Sequence, residues 1–235
     1  IDKLTAAQVK ALTTAQIGAL DSAQVAKLTT EQLNALSGVQ VAALDAGDLA
    51  GLSAAQVQAL TTGAVAAMTT AQVAALDTAQ ASGLTTAQVR ALTTAQVVAL
   101  TTTQAEKLGT AQLAALTNTQ VKALETADLA KLSTAQLGAV TTAAIGGLST
   151  DQVSKLGTTQ LAALTTGQLA SMTTASVAAL TTAQTVSLTT DQVAALTTAQ
   201  AKAIKVADLA VLTSDQVASI STAGVSALTT DQVVA

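Results

Sequence analysis

Aliphatic residues return along this chain at a fixed interval of eight, with no insertion or deletion, from Leu4 to Ala235. The 29 octads can be labelled by positions a to h, with a at Leu4, Leu12 and so on to Leu228. Position a is aliphatic or Met in all 29 and Leu in 24; f is Val, Leu or Ile in 25; e is Gln in 22; h is Ala, Gly or Ser in 24. A continuous α-helix turns about 100° per residue, so residues eight apart would sit roughly 80° apart and the apolar stripe would spiral around it. A flat strand alternates faces at every residue and would send a and f to opposite sides. Neither regular element satisfies this period as one run.

A short helix restarted in every octad does. Position b is Thr, Ser, Asp or Gly in 27 of 29 octads, the set preferred at a helix N-cap. Gln follows three residues later, completing a capping box in which the cap hydroxyl and the Gln side chain each satisfy a backbone N–H that the first helical turn leaves open. The residue at a is then N′ and that at f is N4, the two members of a hydrophobic staple. The spacing predicts a helix from about c to h in each octad.

Charge placement supports this register independently. Twelve of the fourteen acids sit at b, d or e: Asp21, Glu31, Asp45, Asp48, Asp77, Glu125, Asp128, Asp151, Asp191, Asp208, Asp215 and Asp231. They fall at or inside the predicted first turns, where the helix dipole favours negative charge. Nine of the ten bases sit at g or h, in the predicted last turns: Lys3, Lys10, Lys27, Arg90, Lys107, Lys122, Lys131, Lys155 and Lys202. Lys205, at b, is the exception. The residue after each helix is usually Leu rather than a left-handed Gly, so the helix ends are expected to be 3₁₀ turns.

A six-residue helix is far shorter than the roughly 12 to 15 residues at which isolated helices become marginal in water. The octads must therefore stack, and small residues at h allow close approach. The expected fold is an all-α solenoid of very short capped helices, one per octad. The alternative is a β-solenoid with eight-residue rungs, because Thr and Val favour strands. The number of octads per coil is open: two per coil, at helix packing distances of about 8 to 9 Å, would make a rod on the order of 120 Å, and more would shorten it. No linker, proline or charge block interrupts residues 1–235, so a single repeat array is expected. Ile1 lies within a repeat, which suggests a piece of a longer chain.

A slower rhythm overlies the octads. Asp replaces Gln at e as Asp48, Asp128 and Asp208, 80 residues apart, and two octads later the Gln is missing again, as Ala64, Ala144 and Gly224. This reads first as duplication of an 80-residue block and secondly as a recurring ligand or contact site. Asp45 with Asp48, and Glu125 with Asp128, could share a hard cation, but calcium wants about 6 to 8 oxygens, and capping explains these acids. Lys205 beside Asp208 is expected to form a surface ion pair of little worth. Met68 and Met172, at a, substitute for Leu in the core. The Thr ranks resemble the threonine arrays of some ice-binding proteins, which keeps a periodic-surface binding role, icy or adhesive, as an alternative function.

Composition narrows the chemistry. The chain has no His, Cys, Trp, Tyr, Phe or Pro and a net charge of -4. Without His or Cys it lacks a ready general base near neutral pH, a thiolate nucleophile and soft metal ligands. Without aromatics or positive charge it offers nucleic acids neither stacking nor counterion release. No apolar run approaches the roughly 20 residues of a transmembrane helix. We expect no enzyme activity, no catalytic, cofactor-binding or metal residues, no cofactor, no nucleic-acid partner, no small-molecule substrate and no membrane insertion. Neither end carries a distinct polar capping repeat, so self-association, end-to-end or lateral, is expected.

The phrases LTTAQVRAL (84–92), LTTDQVAAL (188–196) and MTTAQVAAL (68–76) resemble the LTTxQVxAL octad arrays of very large repetitive bacterial proteins, described as secreted or surface-exposed and adhesin-like. The resemblance spans essentially the whole chain. It implies an extracellular or cell-surface structural role, as a rod-like spacer, stalk or filament-forming segment. The glycine-rich calcium repeats that occur in some such proteins are absent here, and the resemblance carries over no functional residues.

Overall fold

Each octad starts a helix where its cap residue turns extended backbone into helical. A computed structural model describes residues 1–235 and contains 29 helices of four to six residues, one per octad, from α1 (Ala6–Lys10) to α29 (Thr230–Val233). There is no strand, and the β-solenoid alternative is therefore set aside. The β preference of Thr is used at one residue only, the N-cap, as at Thr69, with φ -73 and ψ 159, while Val73 four residues on is helical. The helices end without Gly in a left-handed conformation: no residue has positive φ. The residue at a returns to extended backbone and its N–H closes the last turn on the carbonyl three residues back, as Leu76 does on Val73 at 3.3 Å. This i→i−3 closure is the expected 3₁₀-type end.

Burial follows the octad with the same fidelity. In octad 9, Met68, Gln72 and Val73 are buried, Thr69, Thr70, Ala71 and Ala74 are exposed, and Ala75 is between. Positions a and f form the core, as the staple pattern implies. The acids sit at helix starts, with Asp21 and Asp77 as N-caps and Glu31, Asp151, Asp191, Asp215 and Asp231 in first turns. Lys10, Arg90, Lys107, Lys122, Lys131 and Lys202 sit in last turns. Lys3 lies ahead of the first helix.

The chain divides into two units, Ile1–Leu116 and Thr117–Ala235. In the first, each helix packs against the one three octads along, as α5 (Gly38–Ala42) does on α8 (Thr62–Ala67) and α6 (Ala46–Ala50) on α9 (Thr70–Ala75). The second repeats the arrangement, with α18 (Thr142–Gly146) against α21 (Thr166–Ser171). Side-chain hydrogen bonds reach one octad further. Gln72 in α9 donates to Val41 and Leu44, where α5 ends and the next octad begins. Gln192 in α24 (Thr190–Ala194) bonds in the same way to Leu161, near the end of α20 (Thr158–Ala162), and to Leu164 beyond it. Each unit is thus an all-α solenoid whose coil closes between three and four octads, which excludes the two-octad coil. A small residue at g allows this closeness: a methyl added at Gly146 would lie 2.5 Å from the carbonyl oxygen of Ser171, the h residue three octads on.

Candidate functional site

The recurring polar feature of the array is the buried glutamine at e. It begins with local chemistry. In octad 9, the Thr69 N–H donates to Gln72 Oε1 at 2.8 Å and the Gln72 N–H donates to Thr69 Oγ1 at 3.1 Å, closing the capping box. The Gln72 side chain is folded back over its own first turn, so its Nε2 points to the preceding coil. There it donates to the Val41 and Leu44 carbonyls at 2.9 and 2.7 Å. The Val41 carbonyl, already closed by the Leu44 N–H at 3.2 Å, gains a second donor, and the Leu44 carbonyl lies beyond the last turn of that helix. One side chain therefore caps the start of its own helix and the end of the helix four octads earlier.

Sequence reasoning found the first of these roles and not the second. A signal was present. The capping box accepts Glu as readily as Gln, yet none of the 29 octads has Glu at e. Ionised Glu only accepts, whereas Gln carries one acceptor and two donors. The preference for Gln, in 22 of 29 octads, over Glu, in none, reports that the position is commonly used to donate as well. Burial makes this decisive: Gln72, Gln80 and Gln192 are each no more than 1% exposed. An unmade hydrogen bond on a buried polar group costs about 1 to 3 kcal/mol.

The octads lacking Gln show how the lattice is patched. Asp48 is buried and accepts the Ser22 hydroxyl. Asp208 accepts the Thr182 hydroxyl at 2.6 Å, while Lys205 Nζ lies 3.7 Å from its other oxygen and donates to the Leu180 carbonyl at 2.7 Å. Leu180 is the a residue that a Gln at 208 would have reached. The Lys205–Asp208 pair is therefore not a surface ion pair: the Asp208 side chain is 4% exposed and the ammonium takes over a donor position in the lattice. Ser176 Oγ reaches Leu148 at 3.4 Å, and Ala64 and Gly224 bring no side-chain donor.

The other singled-out residues are dispersed. Asp45 caps α6 through the Ala46 N–H, and Asp48 faces Ser22, so the two carboxylates serve different partners. Glu125 is an exposed N-cap residue without a side-chain cap bond, and Asp128 is buried three residues on. Met68 and Met172 are core residues at a. No three acidic side chains converge. In the Thr ranks the first hydroxyl is engaged as a cap acceptor and the second residue is exposed, as at Thr69 and Thr70. No helix is long and apolar enough to cross a membrane.

Similar short helices, one per octad, most of them started by a capping box and tied to the preceding coil by a glutamine amide, define a helical repeat protein. The chain belongs to the ALTTAQ repeat family, whose model matches residues 1–38, 41–78, 73–110, 121–158, 153–190, 161–198 and 201–235. Every match begins a whole number of octads from the first, so the register is kept from end to end. No curated protein matches the chain.

Proposed function

We propose that this structural repeat protein acts as a spacer, stalk or filament-forming segment of a secreted or surface-exposed bacterial protein. The observation that supports the reading is the equivalence of the octads. Most are held by the same capping box, the same kinds of a and f side chains and the same Gln amide, as in octad 9, where the amide bonds reach back 28 and 31 residues. Octads can therefore be added without any new kind of interaction, and stability is a sum over near neighbours. The resemblance to bacterial octad arrays supports the location.

A series of arrays lengthened octad by octad tests the mechanical part. Unfolding free energy and solution dimensions should both rise with octad number, and a stability independent of length would overturn it. Antibody labelling of intact cells of the source organism tests the location. Labelling only after permeabilisation would remove the surface role.

A further inference from the structure

The hydrogen bonds that tie one coil to the coil before it are not spread evenly. In octads 10 to 12, Gln80, Gln88 and Gln96 each donate backwards, to the Leu52, Leu60 and Met68 carbonyls. Octads 6 to 8 span nearly one coil and differ. Asp48 accepts the Ser22 hydroxyl and donates nothing, and Ala64 has no polar atom to offer. Gln56 alone donates, to the Ala26 and Leu28 carbonyls at 2.9 and 2.8 Å, and it is only half-buried. At the offsets of 28 and 31 residues that Gln72 uses, amides at 48 and 64 would reach Ile17, Leu20, Leu33 and Leu36. No side chain donates to those four carbonyls. The same replacements halve the caps: Thr61 accepts the Ala64 N–H but receives no acceptor in return, and α6 likewise lacks a capping box. Small residues make the contact instead, since a methyl at Gly38 in α5 would lie 2.7 Å from Ala67 Cβ in α8. Such contact has no directional bond, and dispersion is largely forfeited over a gap of about 0.5 to 1 Å. The weakness is one-sided, because Gln80 and Gln96 tie octads 6 and 8 normally to the coil after.

We propose that octads 6 to 8 form a seam, a conformational device at which the interior of the array opens first, between these octads and the coil before them. This deepens, and rests on, the reading of the array as a spacer or stalk, for which a seam is a fixed place to yield under load. Each helix is too short to persist once its neighbours part, so the loss of ties over one coil makes that coil a separate opening unit. The coils beyond it keep their amides and stay closed. The device recurs with the slow rhythm of the sequence: Asp48 and Ala64 return as Asp128 and Ala144 and as Asp208 and Gly224, 80 residues apart, one seam in every ten octads. In octads 26 to 28, Gln216 is again the one amide, donating to Val186 and Leu188, and Lys205 adds a donor at Leu180, so this copy is the tighter.

The experiment is native-state hydrogen exchange of the whole chain, read at single amides. Leu49, Leu52, Val65 and Met68 close the turns of octads 6 and 8 as Ala81, Leu84, Val97 and Leu100 close those of octads 10 and 12. The helical bonds are alike, so a difference reports the ties between coils. The first set should exchange about tenfold faster or more. Asp48→Gln, which returns a donor toward Ile17 and Leu20, should slow the first set, and Gln88→Ala in octad 11 should speed the second. The comparison within the wild-type chain stands without either variant. Equal exchange in the two sets would overturn the seam while leaving length-dependent stability intact. Exchange that falls smoothly from the ends inward and ignores Asp48→Gln would overturn it in favour of fraying. A seam found in arrays whose stability does not grow with length would instead remove the stalk reading.

Discussion

Octads 9 and 26 meet the same requirement with different side chains. In octad 9 one residue, Gln72, accepts the cap N–H and donates to the Val41 and Leu44 carbonyls. In octad 26 the work is divided: Lys205, at the cap position, sends its ammonium to Leu180, and Asp208 accepts the Thr182 hydroxyl. The division has a cost. Lys205 provides no side-chain cap bond, so the start of α26 (Val206–Leu209) lacks the acceptor that Thr69 gives α9. The comparison teaches that a donor above the helix end can come from either of two positions of the octad and that its chemical identity is open. It also explains why Gln prevails, because an amide supplies acceptor and donor from one uncharged group.

The sharpest way to break this comparison is Gln72→Glu. The capping acceptor survives, but the donors to Val41 and Leu44 are replaced by a buried carboxylate facing carbonyl oxygens. Stability should fall by about 3 kcal/mol or more at neutral pH, read from urea midpoints. The loss should shrink as pH falls. Burial raises the carboxyl pKa above its unfolded value, so the penalty is greatest above the folded pKa and is relieved once the group is protonated and donates one O–H. A Gln72→Glu chain as stable as the native one would mean that Oε1 alone mattered.

A smaller effect is expected from Lys205→Met, which strips octad 26 of its donor to Leu180 and of the cation beside Asp208. The ammonium is half-exposed, so solvent screens the charge term, and a loss of about 1 to 2 kcal/mol comes mainly from the carbonyl and the buried carboxylate left behind. Lys3→Met, at a side chain that is 94% exposed, should leave the melting temperature unchanged. Equal effects from the two would deny Lys205 its place in the lattice.

The smallest expected change is a gain. Gly109 is an N-cap without a side chain, and a Cβ there would make ordinary contact with Gln112 Oε1 at 3.6 Å. Gly109→Thr supplies the missing cap acceptor and restricts the unfolded chain, which together should add roughly 0.5 to 1 kcal/mol. A rise in the calorimetric midpoint would place octad 14 level with octad 9.

Much of the fold was legible in one octad. Thr at b with Gln at e marked each helix start, the a and f pair marked the core, and the absence of Gly after the helices marked their tight ends. The acids at helix starts and the bases in last turns report the same register. The misreadings share one origin. Lys205 with Asp208 was placed on the surface because the spacing of the two residues says nothing about which coil lies over them. Gln was given only its capping role because its second pair of partners lies 28 and 31 residues away, beyond any local motif.

The sequence by itself determined where every helix starts, because the cap and its partner three residues on act within a single octad, while the helices run four to six residues from that start. Only the tertiary structure decided how many octads close a coil and what the glutamine amides reach. Neighbouring octads are nearly identical, so a pairing offset of two, three or four octads brings together the same Leu, Val and Gln. Nothing in the order of residues separates these offsets. The choice falls to geometry: small residues at h and g let helices three octads apart approach closely, and in that packing a folded-back Gln side chain reaches the carbonyls at the junction between the third and fourth octads before it.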